Sequence, residues 1–185
     1  MKIAGISYYS DLGREGMYLK PDSALLVNDK PFFIPAFTDL IVAKPCVIVR
    51  INRMGRYISS RFAQRYFSEY TIGLNLSAPN ELSIGGIDGA IRGTAFDNSF
   101  IVGKFVPYNE SSAFDIDLAS VQLAVNQDAL VLSLPSAIEK ISQYITLRNG
   151  DMIGVDLCYE GTILNKETIV RGKIDKEQVF SCKIK

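Results

Sequence analysis

The sequence contains no histidine, and this absence removes the side chain that most often serves as a general base or as a ligand of transition metals. Any catalysis by this chain must therefore use carboxylates, lysine, tyrosine, serine or cysteine. Cysteine is also scarce: Cys46, Cys158 and Cys182 are odd in number and lie far apart. Neither a disulfide framework nor a Cys-x-x-Cys metal clip is indicated, so we expect three ordinary thiols.

An excess of charge of one sign is lacking as well. Twenty Lys and Arg balance twenty Asp and Glu, and no stretch concentrates basic residues. A nucleic-acid partner is therefore not expected, because it requires a basic patch. No segment approaches the ~18 apolar residues of a membrane span, and the first residues lack the pattern of a signal peptide. We expect a cytoplasmic protein without membrane association, folded as one domain over residues 1–185.

Proline and β-branched residues set the pattern of the first half of the chain. The break at Pro21 predicts strand, loop and strand in the N-terminal region. The run from Ile41 to Ile51 predicts a buried central strand with a bulge or an edge at Pro45. Aromatic residues three to four apart behind Ser59 predict an amphipathic helix as far as Tyr70. A polar, glycine-rich connection is then predicted between residues 79 and 89.

The second half alternates short strands with turns. Behind Leu134, isoleucines on one face predict a second helix with Ser136 as its N-cap. Turns are predicted at residues 126–128 and 149–151, and strands at residues 99–106, 113–125, 129–132, 152–154, 168–174 and 178–184. Many strands, two or three short helices and no βαβ alternation predict an α+β, mainly β fold and not a Rossmann fold.

Four segments, in the same order along the chain, resemble the landmarks of one known family. Leu19-Lys20-Pro21-Asp22-Ser23-Ala24 is similar to a Leu-Lys-Pro-x-Ser-Ala motif, and Tyr70-Thr71-Ile72 is similar to a Gly-Tyr-Thr-Val strand start. Arg92-Gly93-Thr94-Ala95-Phe96-Asp97 resembles an Arg-Gly-Lys-Ser-Phe-Asp segment, and residues 144–151 resemble a Thr-Leu-x-Pro-Gly-Asp turn. Over nearly its whole length the chain thus resembles the catalytic C-terminal domain of the fumarylacetoacetate hydrolase family.

The resemblance implies a mixed β-sandwich roll with peripheral helices, and commonly a homodimer. It also implies hydrolase or isomerase activity on oxo and diketo acids, for example of the 2-hydroxyhepta-2,4-diene-1,7-dioate isomerase type. In active members a Glu-x-Glu pair on the central strand and an Asp on a following strand hold Mg²⁺ or Mn²⁺, which polarises the oxo acid. Such ions take oxygen ligands, and several carboxylates are needed to offset their dehydration.

The resemblance places other residues at these ligand positions in this chain. Val42 and Lys44 stand at the Glu-x-Glu pair, and Asn75 stands at the Asp. An aliphatic group cannot coordinate an ion, an ammonium repels one, and a lone amide oxygen is a weak neutral ligand. We therefore expect no metal and no other cofactor, with Mg²⁺ or Mn²⁺ bound only if the site has been rebuilt.

The other catalytic positions of the family are altered too. The family's lysine is Thr94, its Asn-Tyr-x-x-His ends at Asp11, and its Thr-Gly-Thr reads Val155-Asp156-Leu157. The acid, the base and the oxyanion contacts of the family are thus all changed. No catalytic residue is assigned, and Asp11 and Thr94 mark the degenerate positions.

One hypothesis is a binding or structural protein that has lost the metal-dependent chemistry. Its candidate pocket for a small acidic ligand consists of Lys20, Lys44, Asn75, Arg92 and Asp97. Lys44 could place its ammonium near the position of the family's ion and face the ligand's carboxylate. Alternatively, Lys44 points to solvent or pairs with an acid such as Asp97.

Two further hypotheses stay open, so the sequence leaves undecided whether the protein is an enzyme. One is an active hydrolase or isomerase of oxo acids with a rebuilt, metal-independent site, since buried lysine and aspartate can acquire working pKa values. Its residues would come from nearby tyrosines and from Asp11, Lys20, Lys44, Arg92 and Asp97. The other is a regulatory subunit that pairs with an active relative or another partner.

Overall fold

Strands dominate the structure, a computed structural model that describes residues 1–9, 13–27 and 29–185. The strands are β1 (Ile3–Tyr9), β2 (Arg14–Lys20), β3 (Leu25–Leu26), β4 (Ile41–Ile51), β5 (Phe67–Ser77), β6 (Phe100–Val102), β7 (Val106–Pro107), β8 (Phe114–Asp117), β9 (Gln122–Val125), β10 (Met152–Asp156), β11 (Thr162–Leu164), β12 (Ile169–Ile174) and β13 (Glu177–Lys183). The helices are α1 (Pro79–Leu82), α2 (Gly86–Thr94) and α3 (Leu134–Tyr144), and 3₁₀ turns cover Asp22–Ala24, Ser60–Tyr66 and Gln127–Ala129.

The strands form two sheets that share one core. In the larger sheet the order is β2-β1-β10-β4-β5-β6-β3, with β11 paired to β4 and β7 paired to β5. The smaller sheet has the order β13-β12-β8-β9 and packs across β5. Its buried side chains, such as Ile116 and Val170, join Ile72 of β5 in a single apolar cluster. The predicted mainly β fold with a few short helices is confirmed.

Strand β4 lies in the middle of the larger sheet and is buried on both faces, as predicted from its apolar run. Val47 and Val49 enter the core shared with the smaller sheet, whereas Cys46 and Ile48 belong to a second apolar cluster on the opposite face. The larger sheet therefore has two covered faces, and the second face carries the candidate site described below.

Half of the expectation of a bulge or an edge at Pro45 is confirmed, because β4 has no bulge there but Pro45 faces the gap between β10 and β11 and so lies at a local edge. Pro45 is buried and pairs in regular register with Leu74, and the register shift of β4 falls between Val49 and Ile51. On its other side the Pro45 carbonyl accepts a hydrogen bond of 2.7 Å from the Leu157 amide. Leu157 directly follows β10, and the next strand on this side of β4, β11, begins only at Thr162. No strand residue lies opposite Pro45 on this side, so the amide hydrogen that proline lacks is not needed for a strand-pairing hydrogen bond.

The helix predicted from Ser59 to Tyr70 is also wrong beyond its first half. A 3₁₀ helix spans Ser60–Tyr66, and β5 begins at Phe67. The Phe67 and Tyr70 rings pack edge-on against Tyr108, with centroids 5.0 and 5.3 Å apart. This long-range packing overrides the helical spacing of the aromatic residues.

Three smaller expectations fail for local reasons. Residues 79–89 are partly helical, because Pro79 opens α1 and the positive φ angles of Gly85 (78°) and Gly86 (63°) separate α1 from α2.

Helix α3 is capped by Ser133, whose hydroxyl accepts a hydrogen bond from the Ser136 amide. The cap therefore lies three residues earlier than predicted. The reversal between β8 and β9 lies at residues 118–121 and not at 126–128, and residues 129–132 contain no strand.

The end of the chain agrees with the prediction. Gly150 adopts a φ of 87° in the turn before β10, and β10, β12 and β13 lie where closing strands were predicted. The short strand β11 was missed, since its three residues carry no periodicity. Within the described ranges, no helix is both long enough and apolar enough to cross a membrane.

Candidate functional site

Strand register brings polar residues together on the second face of the larger sheet. Lys44 of β4 pairs directly with Asn75 of β5, and Cys46 pairs with Asp156 of β10. Directly paired residues project to the same face, and so do residues two apart on one strand. Lys44, Asn75 and Asp156 therefore share one face, although they are far apart in sequence.

This face opens into a small cavity of about 170 Å³ beside the helices α1 and α2. Its lining is mainly polar or aromatic and consists of Ser7, Tyr8, Tyr9, Tyr18, Lys44, Asn75, Ser77, Leu82 and Thr94. A larger groove of about 950 Å³ lies on the smaller sheet around Phe114, but none of the predicted site residues lines it. We place the candidate site in the smaller cavity, because the buried polar groups converge there.

Lys44 brings a positive charge to the cavity wall. Its half-buried side chain crosses to β1, where Nζ donates a 2.5 Å hydrogen bond to the Tyr8 carbonyl oxygen and lies 3.4 Å from the Ser7 hydroxyl. The ammonium contacts β1, and the exposed Asp97 is not among its contacts, so the suggested pairing with Asp97 is not present. The ammonium is held at the cavity by backbone and hydroxyl oxygens.

Lys20 is not in the cavity lining but holds neighbouring elements together through its buried ammonium. Its side chain is buried, and Nζ donates to the carbonyl oxygens of Leu76 (2.9 Å), Thr94 (2.6 Å) and Ser99 (3.0 Å). Burial lowers the pKa of Lys20 to about 7, an effect that attraction to Asp156 opposes. Because its donors are directed at three carbonyls, Lys20 ties β5, α2 and the start of β6 together and does not present its charge to a ligand.

Asp156 is a functional candidate that the sequence interpretation did not select. Its side chain is fully buried, and Oδ1 accepts a 3.4 Å hydrogen bond from the Asn75 amide group. Oδ2 has no hydrogen-bond partner within the described residues. Burial raises the pKa of Asp156 to about 7, while the Ser7 hydroxyl and the charge of Lys44 act in the opposite direction. The available signal was a lone carboxylate at the end of an otherwise apolar strand.

The structure places the remaining predicted residues differently. Thr94 lines the cavity, but its hydroxyl donates to the Ala90 carbonyl one turn back along α2 (2.7 Å). Arg92 points to the surface, where Nε lies 2.7 Å from a carboxylate oxygen of Glu81, and Asp97 is exposed. Asp11 lies outside the described residues. The cavity thus unites Lys44, Asn75 and Thr94, while Arg92 and Asp97 stay outside it.

Among the described residues, the oxygen donors of the cavity do not suit a tightly held divalent ion. Val42 offers only methyl groups, Lys44 is a cation, and the Asn75 amide group donates to Asp156. Across residues 1–9, 13–27 and 29–185, no three His, Cys, Asp or Glu side chains come together as a possible ion site. One buried carboxylate beside an ammonium cannot offset the dehydration of Mg²⁺ or Mn²⁺.

Comparison with known proteins gives the same fold and a family. The family model described as fumarylacetoacetate (FAA) hydrolase C-terminal matches residues 5–169. Among curated proteins, the chain is similar to the mitochondrial oxaloacetate tautomerase fahd-1 of Caenorhabditis elegans. The two are 23% identical over 145 residues, which are 74% of this chain and 68% of the relative.

Solved structures show the same architecture. The 5-carboxymethyl-2-hydroxymuconate delta-isomerase of Mycobacterium smegmatis superposes with a TM-score of 0.86 at 17% identity, covering 99% of this chain and 76% of the isomerase chain. The fumarylpyruvate hydrolase of Pseudomonas aeruginosa, solved with Mn²⁺ and pyruvate, gives a TM-score of 0.85 at 16% identity, covering 100% and 89%. At such identities the likeness establishes the fold alone.

Proposed function

The chain belongs to the fumarylacetoacetate hydrolase family, and we propose that it binds a small carboxylic acid in the Lys44 cavity without using a divalent ion. The observation that carries this proposal is the Lys44 ammonium, which lies at a position that the family resemblance assigns to an anionic metal ligand. A cation there replaces the ion's role of attracting a carboxylate, while it repels the ion itself.

The cavity's size and lining support a ligand of a few carbon atoms. A volume of about 170 Å³ accommodates a small acid but not a long diketo acid in full. The Ser7 hydroxyl lies 3.4 Å from the ammonium, and other serine and tyrosine side chains line the cavity, so hydroxyl groups are available for the rest of the ligand. Among the named relatives, the fumarylpyruvate hydrolase was solved with pyruvate, which makes pyruvate a suitable first probe.

Thermal unfolding of metal-free wild-type protein is expected to be unchanged by millimolar Mn²⁺ or Mg²⁺. An ion present at ~100 times its Kd would add about 2.7 kcal/mol to the free energy of unfolding. Within the part of the chain that the structure describes, the cavity has too few carboxylates for such an affinity. A rise in melting temperature that a chelator reverses would contradict the metal-free part of the proposal.

Removing the Lys44 charge is expected to weaken pyruvate binding by at least about tenfold, since a hydrogen bond to a charged group contributes roughly 1.5–3 kcal/mol. Lys44→Met keeps most of the side chain's length and loses the ammonium. Arg92→Met is the matched control, because it removes a cation that pairs with Glu81 outside the cavity. Isothermal titration calorimetry measures both affinities, and equal affinity for pyruvate in wild type and Lys44→Met would refute the binding role.

A second candidate function is metal-independent isomerisation of a small oxo acid. It is favoured by Asp156, a carboxyl group whose burial raises its pKa to about 7 close to the Lys44 charge. A carboxyl group of this kind can exchange a proton at neutral pH, and the Lys44 charge can stabilise an enolate oxygen. Chelator-treated protein would then accelerate the enolisation of oxaloacetate, and the acceleration would disappear in Lys44→Met but not in Arg92→Met.

The predicted homodimer stays a prediction, which sedimentation velocity would test. Every binding experiment above is therefore to be done at a protein concentration for which the oligomeric state has been measured.

A further inference from the structure

A second polar group in the cavity wall has no partner for its hydrogen bond. Tyr18 lines the cavity and is only 6% exposed, and its hydroxyl makes no hydrogen bond within the described residues. Burial raises the pKa of Tyr18 well above its ordinary value, so the group is a neutral phenol and can donate a hydrogen bond.

The fold makes room for this ring on two neighbouring strands. Gly5 of β1 pairs with both Tyr18 of β2 and Gly154 of β10. A Cβ atom at Gly5 would lie 2.2 Å from the Tyr18 oxygen, and one at Gly154 would lie 2.6 Å from it. The phenol therefore lies across β1, and its hydroxyl reaches β10 two residues before Asp156.

An unpartnered hydroxyl in this position is costly. Leaving a buried donor without an acceptor costs about 1–3 kcal/mol, and a phenylalanine ring would fill the same space without that cost. Phe100, tilted against Tyr18 at a centroid distance of 6.4 Å, already supplies the apolar packing of this cluster. Packing alone therefore does not account for the hydroxyl, whereas a ligand that supplies an acceptor does.

We propose that Tyr18 is a specificity-determining residue, which donates a hydrogen bond to a second oxygen of the bound acid while Lys44 attracts the carboxylate. This inference rests on the proposed function. It predicts that acids with an oxygen acceptor beside the carboxylate bind more tightly than acids without one. An acid without that oxygen leaves the Tyr18 hydroxyl unpartnered and therefore binds less tightly.

Pyruvate and propionate test the inference as a matched pair, because they differ only in the oxygen at carbon 2. Wild-type protein is expected to prefer pyruvate, and in Tyr18→Phe that preference is expected to fall at least about fivefold, the equivalent of one net hydrogen bond. Affinity for propionate is expected to stay within a factor of two. Tyr144→Phe, which alters an exposed tyrosine on α3, is the control.

The stability of the ligand-free proteins gives a second readout. Tyr18→Phe is expected to unfold at the same or a higher temperature than wild type, because the variant no longer buries an unpartnered hydroxyl. Higher stability together with lost selectivity supports a ligand-binding role, since a merely structural hydroxyl would leave the preference for pyruvate unchanged.

The outcomes separate the two proposals. If wild type and Tyr18→Phe prefer pyruvate equally, or if wild type binds both acids equally, the Tyr18 role is overturned while the Lys44 site stands. If wild-type protein binds neither acid, the proposed function and the Tyr18 role are both overturned.

Discussion

Replacing Val42 and Lys44 with glutamate and Asn75 with aspartate is expected to create a divalent-ion site whose occupancy stabilises the protein. Positions 44 and 75 are directly paired across β4 and β5, so their new carboxylates would be neighbours. Position 42 lies two residues along the same face, and Asp156 projects from β10 onto that face. Together these groups supply the several oxygen ligands that Mg²⁺ or Mn²⁺ requires.

The substitutions are expected to lower the unfolding temperature without an ion, and adding the ion is expected to raise it. Without an ion, four carboxylates on one face repel one another, and the variant should unfold at a lower temperature than wild type. With Mn²⁺ at ~100 times its Kd, the free energy of unfolding should rise by about 2.7 kcal/mol. For a chain of this size that corresponds to a rise of roughly 5–11 °C in Tm, since 1 kcal/mol is worth about 2–4 °C.

The neutral variant Val42→Gln with Lys44→Gln is the matched control. It has nearly the same shape as the carboxylate variant but keeps Asn75 and adds no charge, so Mn²⁺ should leave its Tm unchanged. Differential scanning calorimetry with and without a chelator measures both proteins. A folded carboxylate variant that shows no response to Mn²⁺ would mean that positions 42, 44 and 75 do not correspond to the ligand positions of the family.

Local patterns in the sequence were sufficient for many elements of the fold. The run from Ile41 to Ile51 predicted a central strand because both of its faces are apolar, and the break at Pro21 separated extended segments correctly. The helix predicted as far as Tyr70 failed because the Phe67 and Tyr70 rings pack on Tyr108, about forty residues away. No local periodicity contains that contact.

The candidate site illustrates the same limit. The family resemblance pointed to Lys44, Asn75 and Thr94, which the structure brings to one cavity, but also to Arg92, which points to the surface. These positions came from aligned motifs, and motifs carry no information on where a changed side chain turns. Thr94, for example, bonds back to its own helix.

The convergence of Tyr18 and Asp156 on one face could not be predicted from the sequence, because it depends on pairing across β2, β1, β10 and β4. The pairing of β1 with β10 joins residues about 150 positions apart in parallel register. Only that register places Gly5 beside Gly154 and so leaves space for the Tyr18 ring. Loop closure over such a distance leaves no trace in a local sequence window.

Asp156→Asn is expected to change how the free energy of unfolding depends on pH. Burial raises the pKa of Asp156 from the usual 3.8 to about 7, so the folded state binds the proton more tightly than the unfolded state does. Stability from this group is therefore fully present below about pH 4 and is lost as the pH rises towards 7. The shift corresponds to a loss of roughly 4 kcal/mol, at about 1.4 kcal/mol per pH unit.

The asparagine variant lacks this loss, so its stability relative to wild type should increase between pH 4 and pH 8. Lys20 contributes with the opposite slope at higher pH, because burial lowers its pKa to about 7 and the protonated form is less stable in the folded state. Carboxylates with lowered pKa values, such as Asp175 beside the Ser112 hydroxyl, contribute stability that the protein loses as the pH falls. Because Asp175 is far from the substitution, its contribution cancels in the difference between the two proteins.

Urea unfolding at pH 4, 6 and 8 measures this difference directly. If Asp156 is buried beside Lys44 and Asn75 as described, the difference in free energy of unfolding between Asp156→Asn and wild type grows steadily with pH. Parallel curves would mean that Asp156 ionises as it does in the unfolded chain, through solvent access or a fully formed ion pair. In that case the carboxyl group could not exchange a proton near neutral pH, and the isomerase alternative would lose the observation that favours it.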